Sequence, residues 1–143
     1  LLEKATELGV KEIHPLIMER SVLKNIDLDR CKKILIASAK QCRRSFFPKI
    51  HEPKSLEILF NTKKKYTYYA CHLDSDLNLL PSNIPSIYPI NVIIGPEGGF
   101  SESELGLMEE EGIKFFSLGE RRLRSETAAI TSLVLLNKIV DFK

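Results

Sequence analysis

The stretch Ile93-Ile94-Gly95-Pro96-Glu97-Gly98-Gly99-Phe100-Ser101-Glu102-Ser103-Glu104 decides how this chain folds. The run 91–94 is rich in β-branched residues and predicts a buried strand that leads into a loop with three glycines in five positions. Ser101, followed three residues later by Glu104, forms a capping box, which predicts that a helix begins here. The sequence therefore predicts a strand, a glycine-rich loop and a helix, the repeating unit of α/β folds.

The glycine-rich loop is suited to holding a ligand. Three glycines remove side chains and permit backbone conformations closed to other residues, so a flat ligand such as adenine can approach the N–H and C=O groups closely. An ordinary tight turn is the alternative, but such a turn needs one glycine rather than three with a proline and a carboxylate. Neither a phosphate-loop motif nor a dinucleotide fingerprint is present, so kinase and dehydrogenase functions lose their support.

A second loop of the same kind lies within residues 118–129 and carries three arginines. Ser125 or Thr127 is predicted to cap the helix that follows. Arginines beside a helix N-terminus would form a positive pocket for a phosphate or for an anion formed during a reaction. An exposed, solvated position explains Arg121 and Arg122 at least as well as a functional role does. Arg124 is the stronger functional candidate.

The remaining pattern predicts helices alternating with strands. Apolar spacing predicts helices over 1–9, 29–44, 55–60, 101–111 and 127–140, and β-forming runs predict strands over 12–18, 66–71, 91–94 and 114–118. This alternation implies one α/β domain, residues 1–143, with a mostly parallel sheet covered by helices on both faces. Ligands in such sheets bind beyond the carboxyl ends of the strands. We therefore expect the site in the loops that start at His72, Gly95 and Gly119.

Composition excludes several classes of protein. With 43% apolar residues in 143, the chain can bury a core, and its apolar runs fall short of the ~20 residues that a membrane span needs. Three cysteines without a C-x-x-C pair argue against a disulfide framework and a zinc site, which fits the reducing cytoplasm. His14, His51 and His72 are isolated in the sequence and lack ligand spacing, so no metal is expected.

Charge is divided unevenly along the chain. Residues 1–72 carry 15 Lys/Arg against 8 Asp/Glu, a net charge of +7, while residues 73–143 carry 6 against 11, a net charge of −5. A polyanion such as a nucleic acid fits the basic half, and an ordinary solvated surface explains it equally well.

These loops carry a family resemblance. The segment 95–101, followed by Leu118-Gly119 and the segment 123–128, resembles the paired signature of the 16S ribosomal RNA uracil-N3-methyltransferases of the SPOUT superfamily. The upstream segments 3–10, 19–21 and 41–44 also resemble that family. The resemblance covers nearly the whole chain in the right order, and the combination of motifs is highly specific.

The resemblance implies more than the residue patterns do. It implies a SPOUT-type α/β fold with a deep C-terminal trefoil knot, which is a rare exception among folds. It also implies a homodimer that binds S-adenosylmethionine in the knot loops and methylates N3 of a uridine in 16S ribosomal RNA of the small subunit. Members of the family carry an N-terminal β-barrel RNA-binding domain, for which this sequence has no counterpart, so we expect the chain to be part of a longer protein.

Site residues follow from the same resemblance. Arg124 is the candidate for stabilising the uracil anion, and Glu97 either assists proton removal or organises its own loop. Arg20, Arg43 and Arg44 are candidate RNA phosphate contacts, with a surface role as the alternative. A non-catalytic RNA-binding module, a methyltransferase acting on another RNA and a nucleotide hydrolase are the alternative functions. The residues expected to hold the cofactor are Leu73, Ile94, Gly95, Pro96, Glu97, Gly98, Gly99, Leu118, Gly119, Leu123 and Arg124.

Overall fold

Helices and strands alternate along the chain, as the sequence predicts. The computed structural model describes residues 1–22, 25–61, 66–73 and 89–139. In chain order the elements are α1 (Leu2–Glu7), β1 (Glu12–Ile13), α2 (Leu28–Gln41), β2 (Lys49–Ile50), α3 (Leu56–Asn61), β3 (Thr67–Cys71), β4 (Ile90–Ile94), α4 (Glu102–Glu110), β5 (Lys114–Phe116) and α5 (Ser125–Ile139).

The main sheet is parallel and has the order β4-β3-β5. Side chains alternate between the two faces of a strand, so Tyr69 and Ala70 enter different core clusters. Ala70 packs with Met108 of α4 and with α3 on one face, while Tyr69 and Phe116 pack with Leu136 of α5 on the other. The predicted α/β sheet flanked by helices is therefore confirmed.

The predicted strand over 12–18 is too long. Only Glu12 and Ile13 form a regular pair, with Lys49 and Ile50 of β2, and the strand direction is then continued by an isolated bridge between Leu16 and Lys54. Pro15 lies between the two pairings and has no backbone N–H to donate. The ladder is therefore interrupted at the proline.

The small β1–β2 sheet brings together two histidines that the sequence separates. His14 and His51 follow the last pair of the register, and their rings stack with centroids 4.0 Å apart. Nε2 of His51 lies 2.7 Å from Oε2 of Glu12, and Nε2 of His14 lies 3.4 Å from the same oxygen. The expectation that these two histidines are isolated is therefore wrong, because strand register places them side by side.

The chain crosses the end of the sheet between β5 and α5. β5 lies beside β3, whereas Ser125 at the start of α5 hydrogen-bonds to Gly95 at the end of β4 on the far side of β3, so residues 117–124 run past the carboxyl end of β3. A trefoil knot also depends on the path of residues 74–88 between β3 and β4, which lie outside the described residues. The knot therefore stays a prediction. Among the described residues, no helix is long and apolar enough to span a membrane.

Candidate functional site

A cavity of about 320 Å³ lies where the three strands of the main sheet end. The loops that leave β3, β4 and β5 form its walls, as expected for a parallel sheet. A second cavity of about 400 Å³ lies between the β1 side of the molecule and the β4–α5 side, and its lining is mainly apolar. The first cavity is the candidate site because polar groups from three loops converge on it.

The glycine loop after β4 is held by tight packing. Gly99 has a φ of +72°, a conformation that favours glycine. A Cβ atom on Gly98 would lie 3.0 Å from Cβ of Arg20, so the loop backbone packs directly against this arginine. The predicted capping box is confirmed: the N–H of Ser101 donates to Oε2 of Glu104 over 2.8 Å, and the hydroxyl of Ser101 accepts from the N–H of Glu104.

Side chains from outside the glycine loop hold its carbonyl groups in place. Arg20 donates from one terminal nitrogen to the carbonyls of Gly98 and Phe100, each over 3.0 Å. Arg122 donates to the carbonyl of Glu97 over 3.0 Å. The position of the backbone around the cavity is therefore fixed by arginines that do not belong to the loop itself.

Ser125 joins the two loops rather than capping α5. Its hydroxyl donates to the carbonyl of Gly95 over 2.9 Å. Both predicted caps are wrong, because α5 begins at Ser125, so Ser125 and Thr127 lie inside its first turn. The bond ties the start of α5 to the end of β4.

Nearly all of the residues expected to hold a cofactor line this cavity. Arg124 is the exception, since it is exposed and does not line the cavity, although Leu123 and Ser125 on either side of it do. Arg124 therefore sits at the rim. The predicted residues that line the cavity are Leu73, Ile94, Gly95, Pro96, Glu97, Gly98, Gly99, Leu118, Gly119 and Leu123.

Sequence reasoning missed several further lining residues, among them Cys71, His72, Phe100 and Arg121. Burial raises the pKa of the Cys71 thiol to about 11, so this cysteine stays protonated at neutral pH and lines the cavity as a small apolar group. His72 begins one of the three loops expected to form the site, although it is not among the residues predicted to hold the cofactor. Arg121 gave no such signal, since solvation explains an arginine in a polar loop equally well.

The three arginines expected to contact RNA occupy different surroundings. Arg20 supports the glycine loop, as described above. Arg44 donates to the carbonyls of Thr6 and Val10 over 2.8 and 2.9 Å, and to Gly9 over 3.3 Å, and it thereby holds the C-terminal end of α1. Arg43 is exposed. Arg20 and Arg44 thus have structural roles that the sequence did not reveal. The RNA contacts of all three arginines stay predictions.

One trio among the described residues could offer ligands to a metal ion. The ligand atoms of Glu12, His14 and His51 all lie within 4.8 Å of one another. The two rings are stacked, inclined by 13°, and both Nε2 atoms lie near Oε2 of Glu12, at 3.4 Å for His14 and 2.7 Å for His51. A hydrogen-bonded His51–Glu12 pair explains this geometry, and the absence of a resident metal stays an expectation.

Most of the chain matches a known protein family. The model of the RNA methyltransferase domain matches residues 1–137. Ribosomal RNA small subunit methyltransferase E of Mesomycoplasma hyopneumoniae is 36% identical over 137 residues, covering 90% of this chain and 59% of that protein. The protein of the same name from Rickettsia conorii is 33% identical over 135 residues, covering 92% of this chain and 55% of its own length. The chain thus spans less than two thirds of these relatives.

Solved structures agree with the sequence comparisons. Ribosomal RNA small subunit methyltransferase E of Neisseria gonorrhoeae, bound to S-adenosylmethionine, superposes with a TM-score of 0.88 at 28% identity, covering 99% of this chain and 61% of that one. Lpg2936 of Legionella pneumophila, described as a methyltransferase in complex with S-adenosylmethionine, gives a TM-score of 0.84 at 34% identity, with 96% and 59% covered. The chain belongs to the RNA methyltransferase domain family.

Proposed function

We propose that this protein methylates N3 of a uridine in 16S ribosomal RNA, with S-adenosylmethionine as the methyl donor. The observation that carries the proposal is the cavity at the carboxyl ends of three parallel strands, in a chain that matches the RNA methyltransferase domain over residues 1–137. Relatives with the same fold bear the name of a small-subunit ribosomal RNA methyltransferase, and two related structures contain S-adenosylmethionine.

The residues of the cavity fit this cofactor. A volume of about 320 Å³ lies within the usual range of small-molecule sites, about 300 to 1,000 Å³. Ile94, Leu118 and Leu123 offer apolar surface for an adenosine group, and the glycine loop allows close approach to its backbone. Arg121 and Arg122 bring positive charge to the same cavity, which suits the carboxylate of the methionine part.

The bound cofactor would supply an electrophilic methyl group on its sulfonium. The protein must then align the uracil with this group, because a near-attack arrangement within ~3 to 3.5 Å removes much of the entropic barrier. Proton loss from N3 leaves negative charge on the uracil, and Arg124 at the rim is our candidate for stabilising it. Glu97 lines the cavity and is our candidate for orienting the base or accepting the proton.

We also propose that the protein acts as a homodimer in the cytoplasm, on 16S RNA or the small ribosomal subunit. Support for the dimer comes from α5. One face of this helix packs against β4, while Val134 on another face is exposed to solvent. A second copy would bury this surface. Sedimentation velocity tests the dimer, and a stable monomer with full cofactor binding would remove the interface from the mechanism.

Two measurements test the function. Calorimetry should show S-adenosylmethionine or its demethylated product binding without added metal. Incubation with 16S RNA and a labelled methyl donor, followed by nucleoside mass spectrometry, should yield 3-methyluridine. A folded sample that binds no cofactor at millimolar concentration would contradict the cofactor assignment. Cofactor binding with methylation at another atom would refute only the N3 position.

A further inference from the structure

Two adjacent phenylalanines are left exposed between α2 and β2. Phe46 is 80% exposed and Phe47 is 54% exposed, while the following Pro48 is buried. A phenylalanine side chain gains free energy by leaving water, so large aromatic side chains that are held in solvent commonly mark a binding surface. The buried proline anchors the loop, so the two rings stand on a fixed base.

The surroundings of these rings are entirely basic in sequence. No aspartate or glutamate occurs between Asp29 and Glu52. This interval holds seven basic residues and attracts anions, although Lys32 pairs with Asp29 and Lys49 lies opposite Glu12, so the net charge near the rings is smaller than +7. The seven are Arg30, Lys32, Lys33, Lys40, Arg43, Arg44 and Lys49.

Arg43 is held in a backbone conformation that normally belongs to glycine. Its φ is +55°, and it ends α2 through bonds from its own N–H to the carbonyl of Lys40 and from the N–H of Arg44 to the carbonyl of Ala39. Glycine is usual at this position of a helix end, because a side chain there is strained. At this strained position the side chain of Arg43 is exposed, so its charge is open to a ligand.

We propose that Arg43, Phe46 and Phe47 form a docking surface for single-stranded RNA. The two rings stack on unpaired bases, and the exposed Arg43 contacts a phosphate. A duplex keeps its bases stacked inside, so the surface selects for single strands. This inference rests on the proposed function, which makes RNA the substrate.

The surface lies away from the reaction. Phe47 precedes β2, at the end of the small sheet where Arg44 holds α1. The opposite end of β1 leads to Arg20, which contacts the glycine loop of the cavity. The surface therefore acts in holding substrate and has no part in the chemical step. Its loss should raise KM and leave kcat unchanged.

The first test measures binding of a 12-nucleotide oligouridine, without cofactor, by fluorescence anisotropy. Replacing both rings (Phe46→Ala with Phe47→Ala) should weaken binding roughly tenfold, as expected when stacked bases lose their aromatic partners. Ile58→Ala is the matched control, because Ile58 is as exposed as Phe47 at 54% but lies on α3. Equal affinity of the double variant and the unsubstituted protein would overturn the proposal.

A conservative variant separates stacking from folding. The chain contains no tryptophan, so Phe46→Trp introduces a single reporter that should keep the affinity. Its emission should be quenched by oligouridine and unaffected by a 12-base-pair RNA duplex at the same concentration. Unquenched emission at saturating oligouridine would overturn the stacking arrangement.

Arg43→Gly tests the strained position, because the two expected effects have opposite signs. The thermal midpoint should stay the same or rise, since glycine relieves the strain. Oligouridine binding should weaken, and the salt dependence of its affinity should lose about 0.7 of a log–log slope unit, as expected for one phosphate contact with a single strand. An unchanged slope would exclude a phosphate contact by Arg43.

The alternative occupant is another protein surface, which the same variants distinguish. If the double alanine variant changed the sedimentation coefficient and left oligouridine binding intact, the rings would belong to a protein interface and the proposal would fail. Oligouridine binding is independent of the cofactor measurement. A protein that binds oligouridine through these rings but does not bind S-adenosylmethionine would therefore refute the proposed function alone.

Discussion

The cavity at the end of the main sheet and the small β1–β2 sheet are built in opposite ways. Around the cavity, side chains hold the main chain in place. Arg20, Arg122 and Ser125 each donate a hydrogen bond to a carbonyl of the glycine loop. In the small sheet, backbone pairing positions the side chains, because the strand register stacks the ring of His14 on that of His51. The first region presents main chain to the cavity, and the second brings two stacked imidazole rings close to one carboxylate.

This difference predicts how the two regions respond to substitution. A site made of main chain is sensitive to any atom that displaces the backbone, even where the new side chain carries no charge. A region made of side chains is sensitive to protonation and to loss of individual hydrogen-bond donors. Substitutions in the first region should therefore change ligand binding and rate, and those in the second should change stability.

Arg124→Ala should give the largest effect. If Arg124 stabilises charge that forms only as N3 loses its proton, single-turnover methylation of 16S RNA should slow by about 10² to 10³ at saturating cofactor. Cofactor affinity should be largely spared. Arg122→Ala is the contrasting variant, since loss of its bond to the carbonyl of Glu97 should weaken cofactor binding instead. A tenfold or smaller loss of rate in Arg124→Ala would assign this residue a structural role.

Gly98→Val should weaken cofactor binding roughly tenfold or more, because the new side chain overpacks against Arg20. The space that it fills lies on the Arg20 side of the loop, so the loop itself must move. Gly106→Ala is the control, since a Cβ there meets no atom within 4 Å. Calorimetry with S-adenosylmethionine measures both variants, and equal affinities would show that the loop backbone tolerates displacement.

Arg44→Ala should lower the free energy of unfolding by about 2 kcal/mol, because the carbonyls at the end of α1 lose a charged donor. Lys40→Ala, at an exposed position near the end of α2, should change it by less than about 0.5 kcal/mol. Urea denaturation measures both. If Arg44 mainly contacts RNA, the variant would keep its stability and lose RNA binding.

The smallest effect concerns pH. Burial lowers the pKa of His14 from its ordinary 6.5, and the charges of His51 and Lys54 lower it further, against the opposing effect of Glu12. The unfolded chain then binds this proton more readily, so the stability due to neutral His14 is lost as pH falls below about 6.5. His14→Gln should flatten that decline in denaturation experiments between pH 7 and 5. An unchanged slope would exclude His14 as its source.

Protonation of Glu12 also lowers the free energy of unfolding, but at a lower pH than protonation of His14. Burial alone would raise the pKa of Glu12, but the hydrogen bond and charge of His51, aided by His14 and Lys49, hold it below its ordinary 4.5. Its contribution to stability is therefore present above pH 4.5 and is lost as pH falls through the lowered pKa. The two groups together make the small sheet sensitive to acid.

The part of the site that depends on backbone could be predicted from the sequence. Glycines and a capping box mark a special main-chain path directly, so the loop after β4 and the start of α4 were predicted correctly. The role of Arg44 and the stacking of His14 on His51 could not be predicted. Each joins residues 34 or more positions apart, and the contact depends on strand register or helix packing that no local pattern encodes. The short length of β1 is encoded locally, because Pro15 cannot donate a ladder hydrogen bond and so interrupts the strand.

The crossing of residues 117–124 over the end of β3 has a consequence for folding. The cavity is lined by the loops that follow β3, β4 and β5 and by the start of α5, so it is complete only where all four elements are docked together. A ligand of this cavity must therefore bind the native state alone, and at one hundred times its dissociation constant it would add about 2.7 kcal/mol to the free energy of unfolding. Ligand binding would then stabilise the whole domain rather than one loop, because every segment that lines the cavity must be docked for the ligand to bind.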